Sequence, residues 1–156
     1  MENQRISQII LDGQSAAHRS PQVEHERQVA IYDLLEDNYF CLVAPQEGPF
    51  HLHMSVLDGR VIFDVRNEGA QDVCRISIPS RSFRRIIRDY FLVCETYFAA
   101  IKTKAPSQIE AIDMGRRGLH NEGAEVLKER LSEHVDIDHP TARRLFTLVC
   151  VLQLKG

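Results

Sequence analysis

The stretch that decides the fold runs Phe50-His51-Leu52-His53-Met54-Ser55-Val56-Leu57-Asp58-Gly59-Arg60-Val61-Ile62-Phe63-Asp64-Val65-Arg66. Its first seven residues alternate apolar and polar, the period of a strand with one face turned inward. Asp58-Gly59 is a two-residue turn signal, because a tight hairpin favours residues that accept positive φ at its centre. That turn sets the register. Leu57 then faces Arg60, Val56 faces Val61, Met54 faces Phe63 and Leu52 faces Val65. The last three pairs are apolar and share one face, and a slip of one residue would turn the whole set outward.

The opposite face pairs His53 with Asp64, His51 with Arg66 and Ser55 with Ile62. A carboxylate beside an imidazole raises its pKa and fixes its tautomer, as a general base or a metal ligand requires. His53 and Asp64 are therefore candidate catalytic residues, and His51 and Arg66 candidate ligand-binding residues. The competing reading is a wetted sheet face whose polar residues pair across strands. Two histidines at i and i+2 fall short of a metal's ligand set, and Arg66 discourages a cation beside His51, so no metal is assigned.

Outward from the hairpin, Val73 to Ile78 reads as a third strand that completes a meander, stopped by Pro79. Upstream, Ile6 to Leu11 reads as an opening strand. A helix follows, with Ser20 as its cap, Pro21 at the first helical position and a stripe of Val23, Ala30, Ile31, Leu34 and Leu35. Phe40 to Val43 is a short strand. Downstream, Phe83, Ile86, Ile87, Tyr90, Phe91, Cys94, Tyr97, Phe98 and Ile101 recur at helical spacing and form the broadest apolar face, the expected central helix. After Pro106, Ser107-Gln108-Ile109-Glu110 fits a capping box. The glycines at 115, 118 and 123 interrupt that helix before it resumes through Val126, Leu127 and Leu131. Pro140 opens a last segment with Leu145, Phe146, Val149 and Leu152, in which residues 145–154 read as helix or as strand.

The expected architecture is α+β: one domain over residues 1–156, a small antiparallel meander packed on a layer of helices. Residues 1–20 are expected to form a loosely held strand or arm.

Two arginine clusters stand out. In Gly115-Arg116-Arg117-Gly118-Leu119-His120-Asn121-Glu122-Gly123, the glycines free the backbone, and Arg116, Arg117, His120 and Asn121 offer donors suited to phosphate or carboxylate. Asn121 could cap a following helix whose N-terminus receives an anion. The plain alternative is an interhelical bend with exposed arginines. The second cluster, Arg84, Arg85 and Arg88 with Arg81, opens the long helix, where cations oppose the macrodipole. Asp89, Glu24, Glu26 or an external anion would offset it.

The chain has 156 residues, with 19 Lys+Arg against 22 Asp+Glu, a net charge of −3, 44% hydrophobic and 26% charged residues. These values describe a single globular domain. A pI near 6.2 argues against sequence-blind nucleic-acid binding. The N-terminus has no basic and apolar leader, and no apolar run approaches the length of a membrane span. Cys41, Cys74, Cys94 and Cys150 form no C-x-x-C pair, which points to a reduced, cytoplasmic setting. Walker, nucleophile-elbow, zinc-protease and kinase signatures are absent, and nothing in the sequence requires a cofactor.

Five segments carry a resemblance: EHERQVAIYDLLEDN, GPFHLHMSV, FRRIIRDYFLVCETYFAAIKT, PSQIEAIDMGRRGLHNEGAEVL and TARRLFTLVCVL. In these the chain resembles uncharacterised protein family 0262, a group of small alphaproteobacterial proteins without an assigned activity. The resemblance covers nearly the whole chain after about residue 20. It implies a stand-alone cytoplasmic bacterial domain and supplies no catalytic residue, cofactor or partner.

Two function classes follow. The first is a binding or regulatory module for an anionic ligand or a partner protein, motivated by the two arginine clusters. The second is a small hydrolase or phosphate-handling enzyme, with His53 as base, Asp64 orienting it and arginines holding the substrate. The enzyme requires the hairpin's polar face to lie beside the glycine–arginine segment. A homo-oligomer joined through the apolar C-terminal segment is a third expectation.

Overall fold

A computed structural model describes residues 3–12 and 20–153. The elements follow in the order β1 (Ile6–Leu11), α1 (Pro21–Glu36), β2 (Phe40–Leu42), β3 (Phe50–Leu57), β4 (Arg60–Asn67), β5 (Asp72–Pro79), α2 (Arg84–Thr103), α3 (Pro106–Leu131), β6 (Val135–Ile137) and α4 (His139–Gln153). The architecture is α+β in a single domain.

The hairpin forms in the expected register. His51 faces Arg66, Leu52 faces Val65, His53 faces Asp64, Met54 faces Phe63 and Leu57 faces Arg60. Asp58 and Gly59 take φ of 52° and 72°, so both turn residues are left-handed, as a type I′ reversal demands. Leu52, Met54, Val61, Phe63 and Val65 join the buried core. β5 pairs antiparallel with β4 through Val61↔Ile78 and Phe63↔Ile76, which completes the meander.

The sheet has a fourth strand, and this corrects two expectations. β1 pairs with β3 in parallel, giving the order β1-β3-β4-β5 and a mixed sheet. Nor is the strand loosely held. Ile6 is fully buried, its N–H donates to Asn38 Oδ1, and the Asn38 amide donates back to the Ile6 carbonyl. Of the expected arm, residues 1–2 and 13–19 lie outside the described residues. A parallel pair needs a long crossover, and α1, starting at the Ser20 cap that accepts from Val23 N–H, lies on that path. The three-residue β6 was not expected. It pairs with β2 as a separate ribbon and is too short to display a period.

The most buried helix is α4, not α2. In α4, Ala142, Leu145, Phe146, Leu148, Val149, Cys150, Val151 and Leu152 are all buried, so it is apolar nearly all round. Helix α2 buries Ile86, Ile87, Tyr90, Cys94 and Ala100 but leaves Leu92 and Ile101 exposed. A sharp apolar stripe marks a helix with one wet side, whereas the helix at the centre of a core loses its stripe. The apolar residues of α4, expected as a surface for self-association, are buried within the chain itself.

The glycine–arginine segment is neither a loop nor a bend. α3 runs unbroken from Pro106 to Leu131, so Asn121 is an exposed mid-helix residue and caps nothing. The capping box is absent too, since α3 starts from Ala105 without a side-chain cap. Gly115 and Gly118 face open space. At Gly123 a Cβ would meet the Phe146 ring at 2.2–2.5 Å, so this glycine admits the ring and lets α4 approach α3.

Candidate functional site

Near the close approach at Gly123 lies a cleft of about 510 Å³ bordered by α1, α3 and the start of α4. Phe146 lies against His120, with ring centroids 5.3 Å apart, and Tyr90 of α2 lies 5.4 Å from the same imidazole. Helical spacing then lines up the cations. Arg116 and His120 come from successive turns of α3 with Arg117 between them, and Arg143 and Thr147 from successive turns of α4 beside Arg144. Glu26 and Asp33 of α1 supply the carboxylates, and His25 and His139 add imidazoles.

His120 is almost completely buried and has a partner on each nitrogen. Nε2 lies 2.8 Å from Thr147 Oγ1, and Arg143 donates from Nε to Nδ1 across 3.5 Å. Thr147 Oγ1 in turn donates to the Arg143 carbonyl at 3.3 Å. The hydroxyl proton is thus used, so Thr147 accepts from Nε2–H and leaves Nδ1 as acceptor; the network assigns this tautomer. Burial, then Arg143, Arg116 and His139, push the His120 pKa down to about 4, so the ring is neutral at physiological pH.

The other groups follow from the same surroundings. Burial raises the Glu26 carboxyl above its ordinary range, opposed by Arg116 and His25. Burial also pushes the Tyr90 phenol well up. Arg116 is anchored twice, by an ion pair with Asp113 and by its guanidinium standing 4.7 Å from the Tyr97 ring centroid. Arg117 shares Asp113 at 3.2 Å. Arg144 donates to the Asp37 carbonyl. Arg143 has no carboxylate within ion-pair distance among the described residues, and its terminal amino groups have no protein partner there. Four arginines thus line the cleft with two carboxylates, Glu26 and Asp33, while Asp113 pairs with Arg116 and Arg117, on a chain whose net charge is −3.

The remaining predicted residues lie elsewhere. His51, His53, Asp64 and Arg66 occupy the sheet face opposite the core residues Leu52, Met54 and Val65, and none lines the cleft. His53 and Asp64 are cross-strand neighbours, yet their side chains bond other groups. His53 Nε2 sits 3.6 Å from Asp12, while Asp64 sits 3.7 Å from Arg75. His51 pairs with Glu68 at 2.7 Å, and Arg66 with Asp72 at 3.2 Å. The juxtaposition that the enzyme reading requires is therefore not assembled. Arg84, Arg85 and Arg88 are exposed on α2, where Arg85 reaches Asp89 and Glu122, and Arg88 reaches Asp89. Among the described residues, no cluster of three or more His, Cys, Asp or Glu could hold a metal ion.

Of the residues that line the cleft, the sequence singled out Arg116, Arg117 and His120 and passed over Arg143, Arg144 and Thr147. A signal existed: Arg143-Arg144 is a charged pair within an otherwise apolar helix, where a solvated face alone would not be expected to interrupt the core.

The fold and cleft define a small α+β protein with a polar, arginine-lined cavity among its helices. The chain belongs to the uncharacterised protein family UPF0262, whose sequence profile matches residues 3–155. It is 53% identical over 153 residues to a UPF0262 protein of Paramagnetospirillum magneticum, covering 98% of each chain. It is 52% identical over 155 residues to a UPF0262 protein of Rhodospirillum rubrum, covering 99% of this chain and 96% of the relative. A relative from Azorhizobium caulinodans is 52% identical over 154 residues, covering 97% and 95%. No solved structure matches.

Proposed function

We propose that this protein is a binding module for a small molecule bearing phosphate or carboxylate groups, held in the cleft between α1, α3 and α4. One observation carries the reading: Arg143, its Nε fixed by a neutral histidine, keeps its terminal donors without a partner among the described residues in a cavity of ligand size. A planar guanidinium suits a bidentate oxyanion, and a cleft whose cations outnumber its acids concentrates anions. His120 acts as a positioning group that orients Arg143. The reading places the protein in the cytoplasm, supported by four free cysteines and the absence, among the described residues, of a helix long and apolar enough to cross a membrane.

The test is calorimetric titration of the protein with inorganic phosphate, pyrophosphate and citrate at low ionic strength. Binding is expected to weaken with added salt. Arg143→Ala should lose about 10- to 100-fold in affinity, the worth of a hydrogen bond to a charged group. Arg116→Ala combined with Arg117→Ala should abolish it, while Arg84→Ala should leave it unchanged. Absence of binding by all three anions, or equal loss in Arg84→Ala, overturns the reading.

A further inference from the structure

The arginine cleft has a neighbour of opposite character. A second cavity, of about 310 Å³, opens between α1 and α2. Cys94 and Tyr90 are buried at its floor, Val23, Phe91 and Phe98 form half-buried walls, and exposed Ser20, Gln22 and Glu95 stand at its rim. Glu26 and Tyr90 line both cavities, so the two hollows adjoin on either side of those side chains. Among the described residues no cation lines the second cavity, and its charged lining residues, Glu26 and Glu95, are acidic. This lining offers an anion no partner, while an apolar chain would cover Val23, Phe91, Cys94 and Phe98 and remove them from water.

We infer that the ligand of this protein is an anionic amphiphile, with its phosphate or carboxylate head in the arginine cleft and a flexible alkyl or acyl chain running past Glu26 and Tyr90 into the α1–α2 cavity. This assignment rests on the anion-binding reading of the cleft and adds the chemical class of the ligand. The occupant of the apolar cavity is fixed by continuity, since whatever fills it adjoins the site that holds the charge.

The experiment titrates the protein with two homologous series below their micellar concentrations, acetate to decanoate and phosphate to decyl phosphate. Each added methylene should tighten binding about fourfold until the cavity is filled, the ratio set by the transfer free energy of one methylene. The better head group distinguishes a carboxylate ligand from a phosphate ligand. Val23→Trp, which fills the cavity from a half-buried wall, should flatten the dependence on chain length and leave acetate or phosphate binding intact. Phe98→Ala, which removes a wall without adding bulk, should weaken the decyl member and spare the short one. Short anions that bind without any gain from the chain, or a gain that survives both variants, overturn the amphiphile assignment and leave the anion site standing. No binding by any member, long or short, overturns the anion site and the assignment with it.

Discussion

The hairpin's outer face and the helical cleft contain the same side chains: histidines, arginines and carboxylates. They use them in opposite ways. On the hairpin each charged group meets a complement within one or two strands, His51 with Glu68, Arg66 with Asp72 and Asp64 with Arg75. Neighbouring strands stand about 5 Å apart, so a cross-strand ion pair is the cheapest arrangement available and uses up the charge it brings together. In the cleft the cations come from α3 and α4, approach through a packing contact and outnumber the acids beside them. A pattern of charges that neutralises itself locally stabilises a surface. One assembled by tertiary packing, with its positive groups left in excess, offers something to a ligand.

The contact at Gly123 is where that difference can be broken most severely. Gly123→Val would place a branched side chain inside the Phe146 ring, and Phe146 cannot withdraw without disturbing Tyr90, Phe83 and His120. The expected cost is about 3 kcal/mol or more, at the upper end for overpacking, read as a fall in the denaturant midpoint. Gly118→Ala sets the scale in the other direction: with open space around it, the variant should gain about 1 kcal/mol from helix propensity alone. Two glycines of one motif should therefore give shifts of opposite sign. Equal shifts would mean that α3 and α4 do not meet at Gly123.

The hairpin was legible in the sequence because its information is local. A two-residue turn and an alternating pattern leave one register that buries Leu52, Met54, Val61, Phe63 and Val65 together. The same locality explains the misreading of Gly115 to Gly123. Three glycines in nine residues weaken a helix, yet the packing of Phe146 on Gly123 and the ion pairs of Asp113 with Arg116 and Arg117 hold α3 together, and propensity does not report tertiary contacts. The cleft was half legible. Arg116, Arg117 and His120 advertise themselves within five residues, whereas Arg143 lies 23 positions from His120 and becomes relevant only when α4 folds back along α3. Which carboxylate a histidine chooses was not legible either, since Asp12 reaches His53 from a parallel strand distant in sequence.

Acid should sharpen the contrast. His120 has its pKa lowered to about 4 from 6.5, mainly by burial, and Arg143, Arg116 and His139 add to this. Between those values the unfolded chain binds a proton that the folded chain refuses, so stability falls as pH drops from 6.5 towards 4 and levels off below. The loss amounts to about 3 kcal/mol, because each tenfold drop in proton affinity on folding is worth roughly 1.4 kcal/mol. His120→Gln keeps a polar side chain beside Thr147 and removes the titration. Its denaturation midpoint should vary less across that range than the wild-type midpoint. An unchanged profile would show that the imidazole already ionises within the fold, and Arg143 would then lack the neutral acceptor that orients it.

The hairpin face should answer with almost nothing. Asp64→Asn removes one charge of a pair in which the Arg75 side chain is 60% exposed and the separation is 3.7 Å. Such a pair contributes about 1 kcal/mol at most, because solvent screens it and both side chains lose freedom to make it. The asparagine keeps the shape, and Val65, Phe63 and the turn at Asp58 and Gly59 hold the register without it. Anion binding in the cleft should be unaltered, since no residue of the hairpin's polar face lines it. The sensitive measurement is therefore phosphate affinity, compared between Asp64→Asn and Arg143→Ala under one salt concentration. A loss in the first that rivals the second would mean that the sheet's outer face acts on the ligand after all. Charge pairing across the strands would then be no sign that a group is spent, and the distinction between the two regions would have to rest on shape alone.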